Sequence, residues 1–174
     1  MPSAMFRSDG TARHPPDQPQ TDYAGAIYGS LLAASVIAGA AGVYASFPRL
    51  GLVVLLLATG IVFWAAHVYV HLAGERVRGQ PMTWAQVRRV AGHEWPMVQA
   101  AVPPAVAVAI SPLLDLGLPE TAWFALGVAL AEQVAWATVA AARAGASRRV
   151  MALSGLLNLL LGLVIVAAKT AVHH

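Results

Sequence analysis

The sequence has no cysteine, which excludes disulfide bonds and thiolate metal sites. Charged residues make up only 11% of its 174 residues, whereas a soluble domain usually carries about 25%. So few charges leave too little polar surface to face water on every side. Hydrophobic residues make up 58% of the chain. This composition predicts an integral membrane protein whose size corresponds to about one domain.

Long apolar runs are what the sequence has in abundance. Residues 1–22 are polar and rich in Pro, Asp and Gln, and we predict a disordered cytoplasmic tail there. Over residues 23–174 five apolar segments follow, each near the roughly 20 residues that a helix needs to cross a bilayer. The runs are continuous rather than alternating, which predicts helices and not barrel strands. The fold class is therefore all-α, a polytopic bundle of five transmembrane helices. The predicted spans are 24–46, 50–72, 97–117, 121–142 and 150–171.

The loop before the third span carries a helix signal of its own. Thr83 and Gln86 form a T-x-x-Q pattern, which is typical of a capping box at the start of a helix. Trp84 and Trp95 fall near one face of such a helix. We predict a short interfacial helix that is anchored by tryptophan and leads into the third span near Pro96. Prolines within that span predict kinks; they are Pro103, Pro104 and Pro112.

Basic residues lie mostly on one side of the predicted membrane. Nine of the eleven lysines and arginines fall in the tail, the loop 73–96 and the loop 143–149, against Arg49 and Lys169 on the other side. The positive-inside rule predicts a cell-membrane protein with a cytoplasmic N-terminus and an outer C-terminus. Because the basic residues are few and separated by apolar runs, we expect the lipid bilayer as partner and no nucleic acid.

Small residues recur every four positions in two of the spans. The first span has Gly25, Gly29 and Ala33, with Ser35 and Gly39 beside them; the fifth has Ser154, Asn158 and Gly162. Such stripes allow helix backbones to approach closely in lipid. We favour packing within the bundle, and the alternative is an interface with a second copy or another membrane protein.

Two histidines, His67 and His71, share one face at the inner end of the second span. At 1.5 Å per residue, His67 should lie roughly 9 Å below the midplane and His71 about 15 Å below it. Glu75 continues the stripe, and His93 and Glu94 should lie at a similar depth. A metal site made of His67, His71 and Glu94, a proton relay and plain hydrogen bonding to neighbouring helices are three alternatives.

Glu132 lies almost at the centre of the fourth span. An ionisable group there costs at least about 2.5 kcal/mol to insert, so it should face the interior and have a partner. Asn158 has nearly the same depth and is the predicted partner. A hydrogen bond that joins two helices and an ion, proton or polar-substrate site are the alternatives. At the outer side, Asp115 and Lys169 form a candidate ion pair, although Lys169 alone would also be satisfied at the interface.

Stacked by depth, these side chains would form a transmembrane polar path. Our leading hypothesis is movement of protons or small ions. The alternatives are a metal- or haem-binding protein using His67 and His71, and a non-catalytic membrane subunit. No nucleophile–base pattern or phosphate-binding loop is present in the sequence, which argues against an enzyme without deciding the question. No cofactor is required by the sequence. The candidate path residues are Asp115, Lys169, Glu132, Asn158, His67, His71 and Glu94.

Three segments carry a resemblance to known sequences. AHVYVH at 66–71, HEWPMVQA at 93–100 and the ending NLLLGLVIVAAKTAVHH together resemble a group of small, uncharacterised integral membrane proteins of actinobacteria that are rich in Ala and Val. The likeness begins near residue 24 and does not include the polar tail. It implies a multi-span membrane protein and no particular activity.

Overall fold

The computed structural model describes residues 23–40, 48–77 and 83–172, and this part of the chain is helical and contains no strand. The predicted all-α class is confirmed. The helices are α1 (Tyr23–Gly39), α2 (Pro48–Val77), α3 (Trp84–His93), α4 (Pro96–Gln99), α5 (Val102–Ile110), a 3-10 turn (Ser111–Leu114), α6 (Leu118–Arg143) and α7 (Arg148–Val172).

Four stretches are long and apolar enough to cross a membrane: Arg49–Arg76, Trp84–Leu114, Leu118–Arg143 and Arg148–Ala168. Each corresponds to one of the predicted second to fifth spans. The described part of the first span, α1, has 17 residues and therefore a length of about 25 Å, slightly less than the roughly 30 Å of hydrocarbon. The predicted remainder of this span, from residue 41 to 46, lies outside the described residues, as does the predicted tail at 1–22.

The third span is where the structure departs most from the predicted helix over 97–117. It is divided into α4, α5 and the 3-10 turn, and it ends at Asp115, whose φ of 52° is left-handed. Each of the three pieces has a proline in its first turn, because proline lacks the N–H that would continue the preceding helix. The hydroxyl of Ser111 donates to the carbonyl of Val108 at 2.8 Å, an acceptor that the nitrogen of Pro112 cannot use.

The core of the bundle lies around α1, which packs most extensively on α6 and also contacts α2, α4 and α7. Most core side chains are small, so the helix backbones lie close together. The predicted stripe of α1 is confirmed, since Gly25, Gly29 and Ala33 are buried. A Cβ atom placed on Gly29 would lie only 2.6 Å from the carbonyl oxygen of Met97. The neighbouring Ser35 and Gly39 are exposed.

Helix α3 begins at the predicted position and lies antiparallel to the last turns of α2. Thr83 Oγ1 accepts a hydrogen bond from the backbone N–H of Gln86 at 3.3 Å. The side chain of Gln86 does not return to Thr83, as a full capping box would require, but donates to Glu75 on α2. At the other end of α3, Trp64 Nε1 donates to the carbonyl of Ala91 at 2.9 Å. These contacts hold α3 alongside α2 at both of its ends.

Candidate functional site

The C-terminal end of α2 brings together two of the predicted site residues. His71 Nδ1 lies 3.0 Å from Glu94 Oε1 and 3.3 Å from the carbonyl oxygen of His67. Glu94 caps α3 and is only 2% exposed, whereas the side chain of His71 is 57% exposed. A buried carboxylate is therefore connected to the surface of the bundle through one imidazole.

His67 does not join this contact. Its Nδ1 lies 3.0 Å from the carbonyl oxygen of Phe63, and its ring lies 5.5 Å from the ring of Tyr28 on α1. Over the described ranges, no three His, Asp or Glu side chains are grouped so that they could hold a metal ion. The predicted ligand set of His67, His71 and Glu94 is thus not assembled, because His67 faces α1 while Glu94 faces His71.

The other residues of the predicted inner cluster have separate roles. Glu75 accepts from Gln86, and His93 is exposed. Trp64, one turn before Val68, meets Trp95 edge-on with ring centroids 5.6 Å apart. Because its indole also bonds to Ala91, a carbonyl in the last turn of α3 that the helix itself leaves without a partner, Trp64 holds the end of α3 against α2.

Glu132 lies within α6 and is partly buried. Its Oε1 accepts from Trp136 Nε1 at 3.0 Å, one turn further along the same helix. Its Oε2 is buried and, among the residues that the structure describes, has no hydrogen-bond donor. Trp136 in turn lies against Tyr23, the first residue of α1, with ring centroids 6.0 Å apart. Glu132 is therefore placed on the flank of α6 that faces α1.

The predicted bond between Glu132 and Asn158 is wrong, because the next residue, Gln133, bonds to Asn158 instead. Gln133, which is fully buried, donates from Nε2 to the backbone oxygen of Asn158 at 2.8 Å and to its Oδ1 at 3.3 Å. Asn158 donates to the carbonyl of Ser154. Gln133 faces α7 because it is rotated by about 100° from Glu132 around the helix. The polar bond between α6 and α7 thus exists, but it leaves Glu132 outside it.

Helix α1 separates the two groups of polar side chains. Tyr23 contacts the Glu132–Trp136 pair, and Tyr28 contacts His67. These tyrosines are five residues apart, so they point about 140° apart and differ in depth by about 7.5 Å. A single polar path running from Glu132 to His67 is therefore interrupted by α1.

At the end of the bundle where α2 begins, Asp115 is exposed in the left-handed turn that ends the third span. The side chain of Lys169 lies outside the described residues, so the predicted pair with Asp115 stays a prediction. The side chain that does hold this turn is Arg49, whose Nε lies 3.1 Å from Ser111 Oγ and whose Nη2 lies 2.5 Å from the carbonyl oxygen of Leu116.

Sequence reasoning missed several of these partners. Trp136 stands four residues after Glu132, a spacing that places both on one face of a helix, so this pair had a signal. Arg49 had a weaker one, as a lone cation in an apolar outer segment. Nothing in the sequence pairs Tyr28 with His67, because that contact depends on how α1 is rotated against α2.

Together the fold and these clusters define a small helical bundle whose polar groups lie at the C-terminal end of α2, midway along α6 and around Arg49 at the start of α2. The chain matches no known family model, and no curated protein and no solved structure is significantly similar to it.

Proposed function

We propose that this chain is an integral protein of the cell membrane, with a cytoplasmic N-terminus, that moves protons or small cations by way of Glu132. The observation that carries the proposal is the buried Oε2 atom of Glu132, which has no donor among the described residues. Gln133 Oε1 is also buried without a donor among the described residues, but Gln133 bonds to a second helix, whereas the bond of Glu132 to Trp136 stays within α6. The role of joining helices therefore belongs to Gln133 and Asn158.

The surroundings of Glu132 support reversible binding. Its one partner, the indole of Trp136, donates to a carboxyl group whether or not that group carries a proton, so the site keeps its geometry when the charge changes. Intramembrane carboxyl groups that face a bundle interior commonly mark proton and ion pathways. The free lone pairs of Oε2 would accept the proton or coordinate the cation.

The contact between His71 and Glu94 supports a connection to the cytoplasm. Imidazole and carboxylate side chains in hydrogen-bond contact exchange protons readily, and histidine does so near neutral pH. Because His71 is exposed and Glu94 is buried, the pair would carry protons from water towards the joint between α3 and α4.

Ion flux into proteoliposomes tests the proposal. The protein is reconstituted with a pH-sensitive dye inside, and an imposed potassium diffusion potential drives protons inward. We expect the wild type to acidify the lumen faster than protein-free vesicles. Glu132→Gln should lower that flux by more than about tenfold, because an amide of the same shape keeps the bond from Trp136 but cannot take up and release a proton.

Glu120→Gln is the matched control, since Glu120 is exposed in the first turn of the same helix; its flux should equal that of the wild type. The flux is also measured with choline in place of sodium in the buffer. A flux that depends on sodium indicates movement of a small cation, and a flux that does not indicates movement of protons. Equal flux in wild-type and Glu132→Gln vesicles, or wild-type flux no greater than in empty vesicles, would refute the proposal.

A further inference from the structure

The exposed face of α3 has a composition unlike that of the rest of the bundle. Trp84 is 75% exposed and Trp95 is 46% exposed, and Arg88 and Arg89 between them are exposed as well. At 100° per residue, Trp84 and Arg88 fall within about 40° of each other, and Arg89 lies about 100° further round. Trp95 lies just beyond the end of α3, with one side of its ring against Trp64 and the rest exposed. We call these four residues the α3 face. It combines two aromatic rings with two guanidinium groups.

The carboxylates near this surface are turned away from it. Within the described part of the chain, the inner end carries Glu75 and Glu94. Glu94 is buried against His71, and Glu75 is bonded to Gln86 on the side of α3 that faces α2. The guanidinium groups of the α3 face therefore present their positive charge outward, with no neighbouring carboxylate to neutralise it from within α3.

The depth of α3 limits what can cover this face. Its last turn is bonded to Trp64 of α2, a residue inside an apolar span, whereas its first turn lies beside Glu75, near the end of the same helix. The α3 face thus runs from the apolar region to the water boundary. Tryptophan is enriched at that boundary, and clustered arginines just inside it attract anionic headgroups.

From this arrangement we infer that the α3 face is a binding surface for the headgroup of an anionic phospholipid of the inner leaflet. Arg88 and Arg89 bind the phosphate oxygens, and Trp84 and Trp95 lie against the glycerol and the upper acyl chains. The interaction does not depend on proton movement through Glu132, so each can fail without the other.

Quenching of tryptophan fluorescence by brominated lipids tests this inference on the full-length protein reconstituted in bilayers. Brominated phosphatidylglycerol and brominated phosphatidylcholine are compared, and the relative binding constant of the anionic lipid is measured. Each arginine near an anionic surface adds roughly a fivefold preference. We expect the wild type to prefer phosphatidylglycerol and the double variant R88Q/R89Q to lose at least about fivefold of that preference.

The variant R148Q/R149Q is the matched control, because it removes two exposed arginines from the same end of the bundle at the start of α7. It should lose clearly less of the preference than R88Q/R89Q, because α7 has no tryptophan to complete a headgroup site beside these arginines. Trp84→Phe should remove much of the quenching by phosphatidylglycerol, since the ring of Trp84 reports the lipid directly. Equal losses in both double variants, no loss in R88Q/R89Q, or unchanged quenching in Trp84→Phe would overturn the inference.

Free inorganic phosphate is the other ligand whose phosphate oxygens these arginines can bind. Inorganic phosphate and sodium chloride are added at equal ionic strength, and both should weaken the preference to the same extent through screening. If phosphate alone abolished it, the arginines would be assigned to a soluble anion and the lipid site would be overturned.

Discussion

A single arginine links the start of α2 to the turn that ends the third span. Arg49 reaches from the start of α2 to Ser111 and Leu116, and so connects a long, straight span to the turn that ends the broken one. A guanidinium group can make both bonds at once because its donors are fixed in a planar fork. Its partly buried position makes these bonds stronger than they would be in open water.

Arg49→Gln should therefore destabilise the protein by about 1–2 kcal/mol, since bonds from a charged donor are lost. Arg49→Lys should recover only part of this, because an ammonium group does not reproduce the fork. Thermal unfolding of the purified protein in one detergent measures both. Arg148→Gln, at an exposed position, is the control and should change stability by less than about 0.5 kcal/mol. If Arg49→Gln unfolded at the same temperature as the control, the structural role of Arg49 would be wrong.

The partners of some polar residues could be predicted from the sequence, and the partners of others could not. Sequence depth alone brought His71 and Glu94 to the same level, and they are in contact. Depth could not choose between Glu132 and its neighbour Gln133 as the partner of Asn158, because that choice depends on the rotation of α6 against α7. The same limitation applies to His67, whose ring faces Tyr28 and not the carboxylate below it.

Among the helices, α1 and α4 approach each other closely at Gly29. Any side chain there would meet the backbone of Met97 and the Cβ atom of Ala100. Backbone atoms in a packed helix cannot move aside as the end of a flexible side chain can. The absence of a side chain at Gly29 is thus a condition for the position of α4 against α1.

Gly29→Ala should destabilise the bundle by about 1–3 kcal/mol through overpacking. Gly127→Ala is its counterpart on α6, where a Cβ atom would have no neighbour within 4 Å. That change should be neutral or stabilise by up to about 1 kcal/mol, because alanine favours helix. Unfolding in a detergent mixture gives both values, and similar values for the two variants would contradict the packing at Gly29.

Helix positions could be predicted better than helix breaks. Continuous apolar runs of membrane-crossing length are unambiguous, and α2, α6 and α7 occupy them. Three prolines predict an irregular third span, but a membrane helix can also accommodate proline by a kink. Which outcome occurs depends on the neighbours that take the released carbonyl groups, such as Ser111 for Val108, and these are properties of the assembled bundle.

For the molecule as a whole, charge asymmetry predicts one orientation, and the lack of cysteine makes it simple to test. Ser147→Cys lies in the turn between α6 and α7, and Glu120→Cys lies in the first turn of α6; both positions are exposed. On intact cells, a membrane-impermeant maleimide should label the cysteine at position 120 and not the one at 147.

After the cells are permeabilised, both variants should be labelled, and the unmodified chain should never be labelled. Labelling of position 147 in intact cells would mean that the positive-inside rule fails for this protein. It would also move the exposed arginines of α3 to the outer leaflet, because α3 begins on the same side as that turn in a bundle of alternating spans.

The broken third span should bend more easily than the continuous helices α2 and α6. A continuous helix resists bending because its ladder of hydrogen bonds is unbroken, as in α2 and α6. Between Trp84 and Leu114 the ladder is interrupted at Glu94, at Ala101 and at Ser111. A force applied to α3 should therefore bend the joint at Glu94 before it displaces α5. The point at which this span yields first thus carries a buried carboxylate.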